Sequence, residues 1–133
     1  MRIKYEYGTQ KYHNKKVTAS DGKVFDSKRE AGRYEQLRLM ERAGEITDLR
    51  LQVPFELIPA QYEFYERYGK RGQRLKDGVR LLEKAVVYIA DFVYKDTKTG
   101  IEYVEDTKGV RTKEYVIKRK LMLHVHGIKI REI

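Results

Sequence analysis

The stretch that decides the fold reads Tyr88-Ile89-Ala90-Asp91-Phe92-Val93-Tyr94, inside a largely apolar segment from Lys84 to Lys95. Its β-branched and aromatic residues favour extended structure, and the segment is short for a helix, so it predicts a buried strand. The next residues, Asp96-Thr97-Lys98-Thr99-Gly100, are typical of a hairpin turn. A partner strand is therefore predicted from Ile101 to Lys108, running back along the first.

Helices are predicted on either side of this strand pair. The first runs from Ser27 to Ala43, because Ser27 is a suitable N-cap and Glu30 lies three residues on, as in a capping box. Gly44 is a suitable C-terminal end. The second helix is capped by Thr112 and runs to about Val125. At about 100° per residue, Glu30 lies near the middle of the first helix's apolar face.

Two further strands complete the predicted core. Leu51 to Ile58 is interpreted as a strand, and Pro54 within it indicates an edge position or an irregular start. The last strand is predicted over Ile128 to Ile133, parallel to the third strand, because a helical crossover connects them. The element order is therefore αβββαβ, an α/β fold with a mixed central sheet flanked by helices.

The length of 133 residues indicates one domain, residues 1–133. Residues 1–25 are expected to form a polar N-terminal arm, flexible or bound to a partner. Residues 60–84 are a basic, tyrosine-rich insertion. They are interpreted either as a long β-hairpin with its tip near 69–78, or as a mobile basic loop.

Composition restricts the class of protein. The chain has no cysteine, which excludes disulfides and thiolate metal sites. Its apolar runs are too short to cross a membrane, and it lacks a signal-peptide stretch, so we expect a soluble, cytoplasmic protein. Lysine and arginine number 29 against 20 acidic residues, a formal charge of +9. Such an excess on a small domain predicts a polyanionic partner, in most cases nucleic acid.

The basic residues fall into two stretches, one in the 60–84 insertion and one after Asp106. They can neutralise backbone phosphates, and the interleaved tyrosines can either stack on unpaired bases or simply pack. The candidate DNA-binding residues are Lys70, Arg71, Arg74, Arg111, Lys113, Lys118 and Lys120.

Acidic residues on the two predicted strands suggest a metal site. Because side chains alternate along a strand, Asp106 and Lys108 share a face and Glu105 points to the other. Asp91 is expected across the ladder from Asp106, and two close carboxylates need a compensating charge such as a divalent cation. The lysine could then orient a water molecule or stabilise the phosphate charge. The alternative is that these are ordinary surface acids, and Glu30 could either cap its helix or complete the ligand set.

Four stretches, taken in order, resemble a known family. The chain resembles the PD-(D/E)XK nuclease superfamily, which has a restriction-endonuclease-like core. More narrowly, it resembles a phage-encoded family of Holliday-junction-resolvase-like endonucleases. The stretches are Phe25-Asp26-Ser27-Lys28-Arg29-Glu30-Ala31, Tyr88 to Tyr94, Val104-Glu105-Asp106-Thr107-Lys108-Gly109 and Thr112-Lys113-Glu114-Tyr115.

This resemblance implies Mg²⁺ or Mn²⁺ as cofactor and cleavage of DNA phosphodiesters. By position, Asp91, Asp106 and Glu30 would be metal ligands and Lys108 the catalytic lysine. The residue before Asp91 is Ala90 where relatives often have proline, and Asp106 stands where many have glutamate.

The first hypothesis is a structure-selective DNA endonuclease, specifically a four-way-junction resolvase that acts as a homodimer, in the host cytoplasm if the protein is phage-encoded. The alternatives are another nuclease of the superfamily, either nicking or restriction-type, and a non-catalytic nucleic-acid-binding module.

Overall fold

Eight strands and two helices succeed one another along the residues that the computed structural model describes, 15–133. Their bounds are β1 Val17–Thr18, β2 Val24–Phe25, α1 Lys28–Arg42, β3 Ile46–Ile58, β4 Gln61–Tyr68, β5 Arg74–Glu83, β6 Val86–Asp96, β7 Glu102–Asp106, α2 Lys113–His126 and β8 Arg131–Glu132.

The central sheet has four strands in the order β3-β6-β7-β8. The first three pair antiparallel, and β8 returns parallel to β7 after the α2 crossover. The α/β class, the mixed sheet and its flanking helices are therefore confirmed. The edge position indicated by Pro54 is confirmed too, since β3 is an outer strand.

Each helix covers one face of the sheet. On one face, Tyr34 and Leu37 of α1 pack with Phe92 of β6. On the other, Met122 of α2 packs with Val93 and Val104. The sheet is therefore buried from both sides, and polar side chains at its centre are held away from bulk water.

Both helices begin at the predicted caps. The Ser27 hydroxyl accepts a hydrogen bond from the Glu30 backbone nitrogen, and Thr112 does the same for Tyr115. Gly127 ends α2 in the left-handed conformation, with a φ of 67°. The side chain of the N-cap residue thus fixes the start of each helix, and both starts lie close to the end of β7.

Strand β3 begins at Ile46, five residues earlier than predicted. Its first half is irregular, with Asp48 and Gln52 at φ values of 57° and 51°. Non-glycine residues seldom adopt this left-handed conformation. The resulting break in the apolar alternation hid the start of the strand from the sequence pattern.

The expected N-terminal arm differs from the structure in its second half. Strands β1 and β2 form a small antiparallel hairpin, and Ala19 and Phe25 lie in the core beside α1. The Phe25 ring centroid is 4.9 Å from that of Tyr34. The two buried side chains, Ala19 and Phe25, therefore anchor this hairpin although the stretch around them is polar. The rest of the proposed arm, residues 1–14, lies outside the described residues.

The 60–84 segment forms a β-hairpin, the first of the two interpretations left open. Strands β4 and β5 pair antiparallel as a separate two-stranded sheet with its turn at 69–73. The hairpin continues from β3 and β6 beyond Ile58 and Val86, and nearly all of its residues are exposed.

Candidate active site

Asp106, the last residue of β7, is the most constrained of the candidate site residues. Its side chain is almost fully buried. One carboxylate oxygen accepts a hydrogen bond of 2.6 Å from the Tyr88 hydroxyl, and the other lies 3.1 Å from Lys108 Nζ. Asp106 and Lys108 therefore meet on one face of the sheet, as strand alternation predicted.

Thr107 holds Asp91 close to Asp106 and Lys108 through two hydrogen bonds. The Oδ2 atom of Asp91 accepts hydrogen bonds from both the backbone nitrogen and the hydroxyl of Thr107, each of 2.8 Å. Because Thr107 lies between Asp106 and Lys108, these bonds hold the Asp91 carboxylate beside them. The expected position of Asp91 across the ladder from Asp106 is what the structure contains.

Glu30 of α1 is linked to Asp91 by a shared hydrogen-bond donor, the side chain of Gln52. The Gln52 side-chain amide nitrogen lies 3.1 Å from Glu30 Oε1 and 3.4 Å from Asp91 Oδ1. One neutral donor is thus shared between two acids. Gln52 takes this position from an irregular point of β3, where its φ is 51°. Strained backbone of this kind is most often found where function requires it.

The pKa values of two of the acids, Glu30 and Asp106, are raised. Burial raises the pKa of Glu30 to about 7, with further contributions from the charges of Asp91, Asp26 and Asp106. Burial and the Asp91 charge also raise the pKa of Asp106, although the Tyr88 hydrogen bond and Lys108 oppose them. The protein alone does not fully compensate these carboxylates, and an added cation would.

Lys108 lies between an acid and an aromatic ring. Its ammonium nitrogen is 4.0 Å from the centroid of Tyr115 on α2. The Tyr115 hydroxyl is in turn fixed by a 2.8 Å bond to Glu132. This cation–π contact and the Asp106 carboxylate together fix the position of the ammonium.

Glu105 belongs to a separate ion pair on the opposite face. Arg33 of α1 donates to both of its carboxylate oxygens, at 2.8 and 2.6 Å, and the Tyr94 hydroxyl also hydrogen-bonds it. Its side chain is fully buried. Both carboxylate oxygens of Glu105 are therefore hydrogen-bonded away from Lys108, and it is Asp106 that lies in the cluster.

The cluster is not a preformed metal cage. Over residues 15–133, no three His, Cys, Asp or Glu side chains are grouped so that they could hold a metal ion. In their present positions the three carboxylates bond instead to Thr107, Gln52, Tyr88 and Lys108. Their oxygens would have to move before one cation could contact all three.

Two cavities adjoin the cluster. One, of about 420 Å³, lies beside Lys108 between the starts of α1 and α2. It is lined by Ser27, Arg29, Thr107, Lys108, Gly109, Val110 and Thr112. The other, of about 390 Å³, lies beside Glu30 and Gln52, next to the β1–β2 hairpin. Lys108 thus borders one cavity and Glu30 borders the other.

The candidate DNA-binding residues lie in two places. Lys70, Arg71 and Arg74 are at the tip of the β4–β5 hairpin, where Arg74 already pairs with Asp77 at 2.5 Å. The others are at or near α2: Arg111 is bound to Glu132, and Lys118 to Glu114. Lys113 and Lys120, seven residues apart, share one exposed helix face, whereas Lys118 points well away from them.

Sequence reasoning assigned no role to several residues that build the site. Gln52, Tyr88 and Tyr115 contact the acids or the lysine directly. Gln52 belongs to a segment interpreted as an ordinary strand, whereas Tyr88 and Tyr115 lie in stretches that resemble the family but received no role from it. Thr107 was part of the recognised motif, and only its position between Asp106 and Lys108 could have indicated a role. No feature of the sequence pattern pointed to Gln52, because the position of its side chain depends on irregular backbone.

In fold and site this is an α/β protein in which three acids and a lysine lie together near the end of β7, beside the start of α1. The chain belongs to a family described as protein of unknown function (DUF1064), whose model matches residues 9–131. No curated protein and no solved structure matches the chain. Between residues 15 and 133 there is no helix long and apolar enough to cross a membrane.

Proposed function

We propose that this protein is a metal-dependent endodeoxyribonuclease with a restriction-endonuclease-like core that cleaves branched DNA, most specifically a Holliday junction. The observation that carries the proposal is the meeting of Glu30, Asp91 and Asp106 beside Lys108. These residues come from three different elements, and the pKa of Glu30 is raised to about 7 by burial and by the other acids. Such perturbed clusters in a cleft are typical of active sites.

The donor set fits Mg²⁺ or Mn²⁺, since carboxylate oxygens are the ligands that these ions prefer. Glu30, Asp91 and Asp106 would hold the ion, and the shared Gln52 amide lies between two of them. When bound, the ion would supply Lewis-acid activation of a water molecule and charge neutralisation at the scissile phosphate. The raised pKa of Glu30 is consistent with a position that favours such a counter-charge.

The residues of the chain have separate tasks in this proposal. Thr107 and Tyr88 hold the carboxylates of Asp91 and Asp106 in place. Lys108 donates a hydrogen bond to the nucleophilic water or to a phosphate oxygen in the transition state. Tyr115 holds the lysine ammonium next to Asp106.

The cleft beside Lys108 suits a phosphate backbone. The N-termini of α1 and α2 border it, and helix N-termini carry partial positive charge and free N–H groups. Arg29 also lines it, and Lys113 opens α2 next to it. Together with a formal charge of +9, this supports DNA as the polyanionic partner.

The test is cleavage of labelled four-way junction, duplex and single-stranded DNA, with Mg²⁺ or with EDTA. We expect paired symmetric nicks in the junction that need the metal. Asp106→Asn should abolish cleavage and leave junction binding intact or stronger, because it removes a negative charge that faces phosphate. Lys108→Ala should lower the single-turnover rate at least about 100-fold with little loss of affinity.

Glu102→Gln is the matched control, since Glu102 is an exposed acid on the same strand. It should cleave at the wild-type rate. Metal-dependent cutting of plain duplex would favour the other nucleases of the superfamily. Salt-sensitive binding with no cleavage under any metal would favour a binding module and end the proposal.

A further inference from the structure

We propose that one face of the β4–β5 hairpin is the surface on which a second copy of this chain docks. The proposal rests on the proposed function in one respect only: a junction has two symmetric scissile phosphates, so a two-fold pair of active sites suits it. The structural argument comes from the hairpin itself.

The docking face consists of two cross-strand pairs. Tyr62 pairs with Leu81 and Phe64 with Val79, and alternation places all four on one side of the hairpin. Each is largely solvent-exposed despite its apolar character. The exposed fractions are 57% for Tyr62, 71% for Phe64, 53% for Val79 and 48% for Leu81. A contiguous apolar patch of this kind marks an interaction site.

The opposite face of the hairpin is polar and already packed. The Tyr65 ring lies against Gly78 so closely that a Cβ at position 78 would clash with it. Arg80 covers the other side of that ring at 4.3 Å and pairs with Glu63 at 3.0 Å. The polar contacts of Glu63, Tyr65 and Arg80 thus lie on one face, and the four apolar side chains lie on the other.

A second copy fits the apolar face better than DNA does. In a two-fold contact each residue near the axis meets the same residue of the partner, so a charge there would repel itself. The two pairs carry no charge, although the chain as a whole carries +9. A base-stacking platform would instead need adjacent cations, and these lie at the tip and on the opposite face, as in Lys70, Arg71 and Arg80.

Docking would also account for the stability of the hairpin. A two-stranded sheet is marginally stable in water unless a third element packs on it. Within residues 15–133, β4 and β5 pair chiefly with each other. Two hairpins packed face to face would form a small sandwich and bury the four apolar side chains of each copy.

The oligomeric state of the protein without DNA and without metal tests this directly. Sedimentation equilibrium should give a dimer for the wild type, and Phe64→Ser should raise the dimer dissociation constant at least about 100-fold. Ile117→Ser is the matched control, because Ile117 of α2 is an apolar residue of similar exposure, 58%. It should remain dimeric. A monomeric wild type, a dimeric Phe64→Ser protein or a monomeric Ile117→Ser protein would each overturn the proposal.

Cross-linking keeps the proposal testable if Phe64→Ser disturbs the hairpin. The chain has no cysteine, so a single introduced thiol is unique. Val79→Cys should give a covalent dimer with a bis-maleimide of about 10 Å reach, the spacing of packed sheets, whereas Glu63→Cys on the opposite face should not. Equal cross-linking of the two would contradict the assigned face. Since neither measurement involves cleavage, a failure here is distinct from a failure of the proposed nuclease activity.

Discussion

Asp91 accepts two hydrogen bonds from Thr107, one from the backbone nitrogen and one from the hydroxyl, both of 2.8 Å. This pair connects the middle of β6 to the end of β7. Thr107, which lies between Asp106 and Lys108 in the sequence, thereby sets the position of the Asp91 side chain. The distance between the acids therefore depends on a residue that carries no charge.

Thr107→Val keeps the shape of this side chain and removes one of the two bonds. The loss of the hydroxyl bond should cost about 1 kcal/mol of unfolding free energy and slow junction cleavage about tenfold, because Asp91 becomes free to rotate. Denaturant melts and single-turnover rates measure the two effects. Thr47→Val, at an exposed position of β3, should change neither. An unaltered cleavage rate in Thr107→Val would show that this contact does not position the acid.

The raised pKa of Glu30 gives stability a pH dependence in EDTA. The folded protein binds this proton up to about pH 7, whereas the unfolded chain releases it near 4.5. The Glu30 contribution to stability is therefore complete below pH 4.5 and is lost as the pH rises to 7. Glu30→Gln should be more stable than wild type at pH 8 by roughly 2 kcal/mol and no more stable at pH 4.

Thermal melts across this pH range measure the difference, with Glu41→Gln as the control on the same helix. Adding Mg²⁺ at pH 8 should stabilise the wild type more than Glu30→Gln, because binding requires the ionised carboxylate. Identical pH profiles for wild type and Glu30→Gln would refute the assigned electrostatics.

The Arg33–Glu105 pair predicts a different outcome, one of stability alone. Arg33→Met leaves a fully buried carboxylate without its cation and should cost about 3 kcal/mol or more. The double variant Arg33→Met/Glu105→Leu removes the stranded charge and should recover most of that loss. Chemical denaturation of the two single variants and the double variant measures the coupling. Additive losses in the double variant would argue against a buried ion pair.

The hairpin tip should contribute to DNA affinity and not to the chemical step. Replacing Lys70 and Arg71 together by alanine should weaken junction binding about tenfold at low salt and reduce the salt dependence by nearly one ion per lost phosphate contact. Fluorescence anisotropy at several salt concentrations measures both. Lys98→Ala removes a charge from the turn at the other end of the sheet and should have little effect. Unchanged affinity in the double variant would show that the hairpin tip is not part of the DNA-binding surface.

The parts of the fold that follow from local chemistry were predicted from the sequence. Caps at Ser27 and Thr112, the turn at 96–100 and the apolar run of β6 each specify an element without help from the rest of the chain. The αβββαβ order then followed from connection rules. The N-terminal hairpin was missed because only Ala19 and Phe25 anchor it, and the pattern around them is polar.

The candidate site also has features that could be predicted from the sequence and features that could not. Strand alternation placed Asp106 and Lys108 on one face and Glu105 on the other, as the structure has them. Gln52 was beyond prediction, because its side chain reaches Glu30 only through a left-handed backbone conformation inside a strand. Tyr115 was missed for another reason: its contact with Lys108 depends on how α2 packs over the sheet.

Glu105 and Asp106 are neighbours on β7, yet one is neutralised by Arg33 and the other meets Lys108. A slip of β7 by a single residue against β6 would exchange their faces, delivering Glu105 to the cleft and Asp106 to the arginine. Such a chain would keep its secondary structure and its charge but would have the wrong acid in the cleft. Correct hydrogen-bond pairing of one five-residue strand is therefore as much a requirement for the proposed activity as any side chain. Circular dichroism alone would not distinguish the two forms in a refolded sample.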